Sequence, residues 1–277
     1  MPELPEVETV KETLKLHLIG RKIIDIITPY PNIIKTDLVS FKAKMINQEF
    51  LDIKRYGKYL IFELTDISMI SHLRMEGKYY LRERPDQFTK HEHVIFKLDD
   101  GKFLSYHDVR KFGTMELVEK NEVFNSLSLS KLGFEANDPN IDVNKIYPRF
   151  KNAKRPIKSV LLDQSVITGL GNIYVDETLF RSKIHPQELA YNLTKDEVKN
   201  LLINAKVVLD KAISLGGTTI RTYQSSFGVD GRFQNELKVH TLVGKPCSVC
   251  NTTIEKIRVG GRGTYFCPNC QKLKKLW

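Results

Sequence analysis

Four cysteines near the carboxyl end constrain the fold of this chain more than any other feature. They form two C-x-x-C pairs separated by 16 residues and are the only cysteines of the 277-residue sequence: Cys247, Cys250, Cys267 and Cys270. Paired thiolates at this spacing bind zinc tetrahedrally. Two disulfides are the alternative, which the short spacing and a reducing compartment disfavour. We therefore predict one structural Zn²⁺, with no open position for a substrate because sulfur fills all four.

The segment between the two cysteine pairs predicts a β-hairpin. Residues 257–265 contain a glycine-flanked arginine, Arg262, at the expected tip. Such a tip can be an ordinary turn. On a rigid zinc-bound support, however, it also directs a permanently charged guanidinium outward, and this suits a phosphate group.

Basic residues are concentrated in the second half of the chain. The net charge is +10, and residues 141–277 hold 22 basic and 11 acidic residues, whereas residues 1–140 hold 21 and 22. This distribution indicates a polyanion as partner. The sequence has no apolar run of membrane-spanning length and no signal-peptide pattern at its start. We therefore expect a cytoplasmic protein with no membrane partner.

The length of the chain and its patterning predict two domains. The first half reads as one helix followed by short strands, with a hairpin in which residues 94–98 and 102–106 flank a Gly-containing turn. This pattern favours a β-sandwich with the N-terminal helix beside it. Residues 134–148 are rich in Asn, Asp and Pro, and we predict an interdomain hinge there.

The second half of the chain predicts helices. Thr194 and Glu197 form a capping-box pattern, and Gly216 and Gly217 end the helix that follows. Upstream, the glycine-containing segment 168–172 precedes a second predicted helix at 173–181. Its backbone N–H groups could hold a phosphate, and a tight turn between two packed helices is an equally good interpretation.

The first residues place a nucleophile beside a proton donor. Removal of Met1 leaves Pro2 with a free secondary amine next to the carboxylate of Glu3. Apolar residues at helical spacing predict a helix that begins near Pro5, and its positive end disfavours protonation of the amine. A proline before an acidic first turn is also ordinary helix-start chemistry, so this pattern alone leaves catalysis open.

Motifs along nearly the whole chain resemble the bacterial formamidopyrimidine-DNA glycosylases. They are P-E-L-P-E-V-E-T at 2–9, Y-G-K-Y-L at 56–60, S-H-L-R-M-E-G at 71–77, D-V-R-K-F-G at 108–113, G-L-G-N-I-Y at 169–174, G-G-T-T at 216–219 and the zinc cysteines. The resemblance implies a base-excision repair enzyme that removes 8-oxoguanine and formamidopyrimidines. Its partner would be double-stranded damaged DNA, bound by a monomer in a bacterial cytoplasm.

The resemblance also implies an α+β fold with two domains. Residues 1–133 would form a catalytic β-sandwich flanked by helices, and residues 134–148 the hinge. Residues 149–236 would form a helix-two-turn-helix DNA-binding domain with a loop that covers the lesion. Residues 237–277 would form the zinc finger with its β-hairpin.

The resemblance assigns roles to individual residues. Pro2 would be the imine-forming nucleophile, Glu3 the proton donor and Glu6 the group that orients the terminus. Lys58 and Arg262 would hold phosphates and assist the first and second eliminations, the AP-lyase steps; a guanidinium is a poor proton carrier, so the electrostatic role of Arg262 is the better founded.

Further residues would bind DNA. By resemblance, Met75, Arg110 and Phe112 fill the space left by the extruded base, although periodicity alone favours core packing for Met75 and Phe112. The remaining expected DNA contacts are His72, His91, Lys154, Lys158 and Asn172. The expected lesion loop includes Thr218, Ile220, Arg221, Thr222 and Tyr223.

The sequence leaves two other functions open. One is that of endonuclease VIII, a related enzyme for oxidised pyrimidines, which lacks the set Met75, Arg110 and Phe112. The other is a catalytically silent protein that binds damaged DNA on the same scaffold. Trapping by borohydride separates the silent binder from an enzyme that forms an imine.

Overall fold

The computed structural model describes residues 1–218 and 231–274, and the chain divides into two units. Met1–Lys131 and Thr218–Gly231 belong to the first unit, and Leu132–Gly217 and Arg232–Trp277 belong to the second. Strands predominate in the first unit and helices in the second, so the expected α+β class is confirmed. The predicted domain boundaries and hinge stay a prediction.

Two antiparallel sheets form the body of the first unit. Its elements are α1 (Leu4–Leu18), β1 (Ile23–Ile27), α2 (Leu38–Met45), β2 (Phe50–Tyr56), β3 (Tyr59–Leu64), β4 (Ile67–His72), β5 (Lys78–Arg82), β6 (Glu92–Leu98), β7 (Phe103–His107) and β8 (Thr114–Glu119). One sheet has the order β1-β6-β7-β5 and the other β2-β3-β4-β8. The predicted β-sandwich with an N-terminal helix is therefore confirmed.

An apolar cluster fills the interior between the sheets and helices of the first unit. Helix α1 contributes Val7, Val10 and Leu14 from one face, because apolar residues three and four positions apart share a face. Full burial of one such side chain stabilises the fold by about 1.5–3 kcal/mol. Replacement of the fully buried Leu14 by Ala would cost about 2–5 kcal/mol, since a cavity remains.

The hairpin predicted in the first half joins β6 to β7. The Leu98 N–H donates to the Lys102 carbonyl at 2.8 Å, and Gly101 lies in the left-handed region with φ of 85°. Glycine adopts this conformation without the steric cost that a side chain would carry. The hairpin leads directly into the loop that follows β7, where predicted site residues lie.

Helices and two small strand pairs make up the second unit. Its elements are β9 (Phe134–Glu135), α3 (Val143–Lys151), α4 (Ile157–Leu161), β10 (Ile167–Thr168), α5 (Asn172–Arg181), α6 (Lys195–Ser214), β11 (Glu255–Val259) and β12 (Arg262–Phe266). Strands β9 and β10 pair in parallel, and β11 and β12 form the hairpin of the cysteine-rich segment. None of the described helices combines the length and apolarity that a membrane crossing requires.

The capping box predicted for the longest helix is present at the start of α6. The Glu197 N–H donates to Thr194 Oγ1 at 3.2 Å, and the Thr194 N–H donates to Glu197 Oε2 at 2.7 Å. At the other end, Gly216 and Gly217 have φ of 74° and 77°. Both ends of the helix therefore follow from local sequence.

Candidate active site and nucleic-acid interface

The carboxylate of Glu6 joins the amino terminus to the start of the predicted lesion loop. Its Oε2 accepts a hydrogen bond from the Glu3 N–H at 2.8 Å. Its Oε1 accepts from the N–H of Thr218 at 2.8 Å and from the Thr218 hydroxyl at 3.1 Å. Pro2, Glu3 and Glu6 are buried. One side chain in the first turn of α1 thus holds the backbone next to Pro2, as an orienting group must.

Burial favours the neutral form of the terminal amine. Loss of hydration lowers the pKa of the Met1 amine, the nearby carboxylates of Glu3 and Glu6 raise it, and Lys58 lowers it. While Met1 is attached, the Pro2 nitrogen belongs to an amide and has no nucleophilic lone pair. Removal of Met1 would convert the Pro2 nitrogen to a free amine, and Pro2 is a buried residue.

Lys58 lies on the turn between β2 and β3, next to Gly57, whose φ is 57°. Its side chain is buried, although its residue type is almost always exposed. Its positive charge contributes to the lowered pKa of both the Met1 amine and the His72 imidazole. Lys58 therefore lies within electrostatic range of the chain terminus.

His72, the last residue of β4, is neutral and is oriented by the backbone. Loss of hydration, together with the charges of Arg74 and Lys58, lowers its pKa to about 3. Its Nδ1 accepts the Arg74 N–H at 2.8 Å, so the proton of the neutral ring resides on Nε2. The ring of Tyr59 packs edge-on against it at 4.3 Å. His72 can thus donate one uncharged hydrogen bond.

Two loops carry the three side chains predicted to fill the space in the DNA. Met75 lies half-buried in the turn between β4 and β5. Arg110 and Phe112 lie in the loop between β7 and β8, where Phe112 is 52% exposed. The guanidinium of Arg110 lies 4.8 Å from the centre of the Phe112 ring. Phe112 is therefore not a core residue, contrary to what periodicity alone favours.

Asp108, a residue for which the sequence predicted no role, shapes the second of these loops. Its buried carboxylate accepts three backbone N–H groups, from Arg110 at 3.0 Å and from Phe112 and Gly113 at 2.9 Å each. Aspartate commonly bonds the backbone two residues onward, and its position at the start of a loop was the available signal. The carboxylate holds Arg110 and Phe112 in one defined loop conformation.

The other predicted DNA contacts differ in exposure. His91 is half-buried, with its ring 5.5 Å from that of His107, and Lys154 is exposed between α3 and α4. Asn172, at the start of α5, donates from Nδ2 to the carbonyl of Gly263 at 3.0 Å. Its buried Oδ1 has no hydrogen-bond partner among the residues described.

The predicted contact of Lys158 with the DNA backbone stays a prediction, and in this structure the Lys158 side chain has no exposed surface. Its Nζ donates to Asp176 Oδ1 at 2.7 Å and to the Gly263 carbonyl at 3.2 Å. The other oxygen of Asp176 bonds His240 Nδ1 at 2.8 Å and the Tyr265 N–H at 3.3 Å. This buried network attaches α4 and α5 to strand β12.

The four cysteines converge as the spacing predicts. Their sulfur atoms all lie within 4.8 Å of one another. Three of the distances are 3.9, 3.4 and 3.4 Å, for Cys247 to Cys270, Cys250 to Cys267 and Cys250 to Cys270. Tetrahedral zinc with bonds of about 2.3 Å separates its sulfurs by about 3.8 Å. These residues fit one structural zinc ion, which confirms the predicted cofactor.

The zinc segment supports Arg262 at the tip of a hairpin, as predicted. Arg262 pairs with Val259 across Gly260 and Gly261, whose φ values are 54° and 78°. Positive φ at both central residues is typical of a tight two-residue turn. The Arg262 side chain is exposed. Of the predicted lesion loop, Thr218 is described, whereas Ile220, Arg221, Thr222 and Tyr223 lie outside the described residues.

Three family models match the chain in succession. They describe the formamidopyrimidine-DNA glycosylase N-terminal domain at residues 1–115, the helix-two-turn-helix (H2TH) domain of the same proteins at 132–224, and a zinc finger found in FPG and IleRS at 244–273. The chain belongs to the formamidopyrimidine-DNA glycosylase family. The predicted H2TH domain and zinc finger are thereby confirmed.

Individual relatives match this glycosylase over nearly its full length. The formamidopyrimidine-DNA glycosylase of Oceanobacillus iheyensis is 49% identical over 99% of both chains. The Lactococcus lactis Fpg in complex with DNA containing an abasic site has a TM-score of 0.91 and 43% identity, over 98% of this chain and 100% of that one. MutM in complex with DNA containing carbocyclic 8-oxo-G has a TM-score of 0.90 and 43% identity, and the match likewise covers 98% of this chain and 100% of that one.

Proposed function

We propose that the chain is a bifunctional base-excision repair enzyme. It removes oxidised purines, 8-oxoguanine and formamidopyrimidines, from double-stranded DNA and then cleaves the strand at the abasic site. The observation that carries the proposal is the buried terminus, where Glu6 bonds both the Glu3 N–H and Thr218 in a chain of this family. A terminal amine so restrained has the position and the neutral form that a nucleophile needs.

The proposed reaction starts after Met1 has been removed. The lone pair of the Pro2 nitrogen forms a bond to C1′ of the damaged nucleotide, and the bond from C1′ to the base breaks with its electron pair on the base. The departing base takes up the proton that the Pro2 nitrogen loses. Glu3 donates its proton to the ring oxygen, which leaves C1′ as the sugar opens and a cationic imine forms. Burial of Pro2 supports this step because loss of hydration disfavours the protonated amine.

The imine then promotes cleavage of the strand. It withdraws electrons, so a proton leaves C2′ and the 3′ phosphate departs in the first elimination. A second elimination expels the 5′ phosphate, and hydrolysis of the imine frees Pro2. The Glu3 carboxylate, having given up its own proton, can accept the proton from C2′, and the positive charge of Lys58 would assist the first elimination by holding phosphate, supported by its electrostatic proximity to the terminus. Arg262 would stabilise phosphate charge, because the guanidinium stays protonated.

Extrusion of the base requires groups that replace it in the duplex. Met75, Arg110 and Phe112 would enter the vacated space, at a cost of a few kcal/mol for unstacking. The exposure of Phe112 and the Asp108-held loop support this role. His72, His91 and Asn172 would bind the DNA, Lys154 would contact its backbone, and the segment that starts at Thr218 would read the extruded base. We propose that the enzyme acts as a monomer in the bacterial cytoplasm.

Trapping by borohydride tests the proposal. The reagent reduces the imine, so the wild-type protein should become covalently joined to an oligonucleotide that contains an abasic site. Pro2→Gly should abolish trapping and release of 8-oxoguanine while leaving DNA binding largely intact. Pro5→Gly is the matched control, since it also removes a proline from the helix start but should be trapped normally. The mass of the purified protein establishes whether Met1 is absent.

Two results would contradict the proposal. Wild-type protein that lacks Met1, binds lesion DNA and is never trapped would be a silent damage-binding protein. Release of oxidised pyrimidines in preference to 8-oxoguanine would instead indicate the specificity of endonuclease VIII.

A further inference from the structure

One buried oxygen atom contacts both loops that carry the proposed space-filling residues. Tyr106, in the middle of the sheet on β7, is fully buried. Its ring packs edge-on against that of Tyr79 on β5, with the centroids 5.2 Å apart. This packing fixes the ring, and the ring fixes the place of the hydroxyl oxygen.

Gly77 and Gly113 lie against this hydroxyl group. A Cβ atom added to either glycine would collide with the Tyr106 oxygen, and one added to Gly77 would also come within 2.6 Å of the Leu73 carbonyl. The oxygen therefore occupies the space that either side chain would need. The absence of a side chain at both positions lets two separate backbone segments approach the same atom.

The two glycines close the two loops. The Gly77 N–H donates to the Leu73 carbonyl at 2.9 Å, which completes the turn that carries Met75. The Gly113 N–H donates to Asp108 Oδ2 at 2.9 Å, which completes the loop that carries Arg110 and Phe112. The position of each closing glycine sets where its loop leaves the sheet.

We propose that Tyr106 is a positioning residue whose hydroxyl sets the spacing between Met75 and the pair Arg110 and Phe112. The inference rests on the proposed function, in which these three side chains enter the duplex together. The Tyr106 oxygen acts as a spacer, one heavy atom wide, between the loop that joins β4 to β5 and the loop that joins β7 to β8. Its removal lets the loops settle toward each other, and the side chains no longer match the vacated space.

Replacement of Tyr106 by Phe tests the spacer without removing the ring. A misplacement of about 1 Å at an aligned site costs up to about 100-fold in rate, so we expect release of 8-oxoguanine from duplex DNA to slow by about 10- to 100-fold. Borohydride trapping at a preformed abasic site should stay within about twofold of wild type, because no base has to be extruded. A 2-aminopurine beside the lesion should show a smaller fluorescence rise on binding.

Tyr79→Phe is the matched control. Tyr79 is equally buried in the same aromatic pair, but its hydroxyl donates to Ser71 Oγ at 2.7 Å on β4. This variant should lower the melting temperature without changing the ratio of base release to trapping. The inference is overturned if Tyr106→Phe is folded and changes the ratio and the 2-aminopurine signal no more than Tyr79→Phe does.

The fluorescence readout also separates the two proposals, because it needs binding but no catalysis. Wild-type protein that unstacks the 2-aminopurine without being trapped would contradict the proposed chemistry. A reduced signal for Tyr106→Phe in that case would still support the positioning role. An unchanged signal would overturn it whether or not the wild type is trapped.

Discussion

Replacement of the buried Lys158 by Met distinguishes a structural lysine from a DNA contact. In the structure its Nζ lies between Asp176 and the Gly263 carbonyl, with no solvent exposure. Met keeps the length of the side chain and removes its charge and its hydrogen bonds. Asp176 would keep its bonds to His240 and to the Tyr265 N–H. The substitution thus leaves a buried carboxylate with a reduced set of partners.

The expected loss of stability follows from this geometry. Removal of one partner of a buried ion pair costs about 3–5 kcal/mol, because the remaining charge is left without compensation. The bonds that Asp176 retains favour the lower end, so we expect about 3 kcal/mol and a drop in melting temperature of roughly 6–12 °C. A phosphate contact would behave differently, since each one contributes about −0.9 to the slope of log affinity against log salt.

The assay combines thermal unfolding, followed by circular dichroism, with salt titrations of affinity for a duplex that contains an abasic site. Lys154→Met is the matched control, since Lys154 is an exposed lysine of the same unit. It should flatten the salt slope by about 0.9 and leave the melting temperature unchanged. Lys158→Met should lower the melting temperature and leave the salt slope unchanged. The reasoning is refuted if Lys158→Met melts like wild type and flattens the slope as Lys154→Met does.

Three further predictions follow from other parts of the structure. Burial lowers the pKa of His72 to about 3 from its ordinary 6.5, so the unfolded chain binds more protons between these values. Stability should therefore fall by roughly 2 kcal/mol from neutral pH to pH 5, and His72→Gln should flatten this dependence in urea titrations. Asp108→Asn replaces a carboxylate that accepts three N–H groups with an amide, and it should lower the free energy of unfolding by about 1–3 kcal/mol in the same titrations. The control Asp100→Asn, in an exposed turn, should lower it by less than about 0.5 kcal/mol. Removal of zinc by a chelator, or Cys247→Ser, should weaken DNA binding by loosening the Arg262 hairpin; unchanged salt-dependent affinity of the metal-free protein would contradict this.

The sequence predicted the features that depend on neighbouring residues. The capping box of Thr194 and Glu197, the tight turn before Arg262 and the paired cysteines each need only a short stretch of chain, and the structure has all of them. Strand patterning also predicted the N-terminal sandwich, which the two sheets confirm. Resemblance extended the prediction to the H2TH domain, and the family model confirms it.

The sequence could not predict which charged residues are buried. Lysine is almost always exposed, so a lysine in a basic segment reads as a phosphate contact. Lys158 departs from this rule because Asp176, 18 residues away, and Gly263, 105 residues away, supply its partners. Nothing in its own surroundings along the chain signals these contacts.

By itself, the sequence determined the zinc site, the helix ends, the hairpins and the family, because spacing, capping and turn chemistry act within a few residues of the chain. Only the tertiary structure decided that Glu6 reaches Thr218 across 212 positions and that the Tyr106 hydroxyl touches both Gly77 and Gly113. The physical reason is that such contacts form when distant segments are packed together. Packing sets distances that no local pattern encodes.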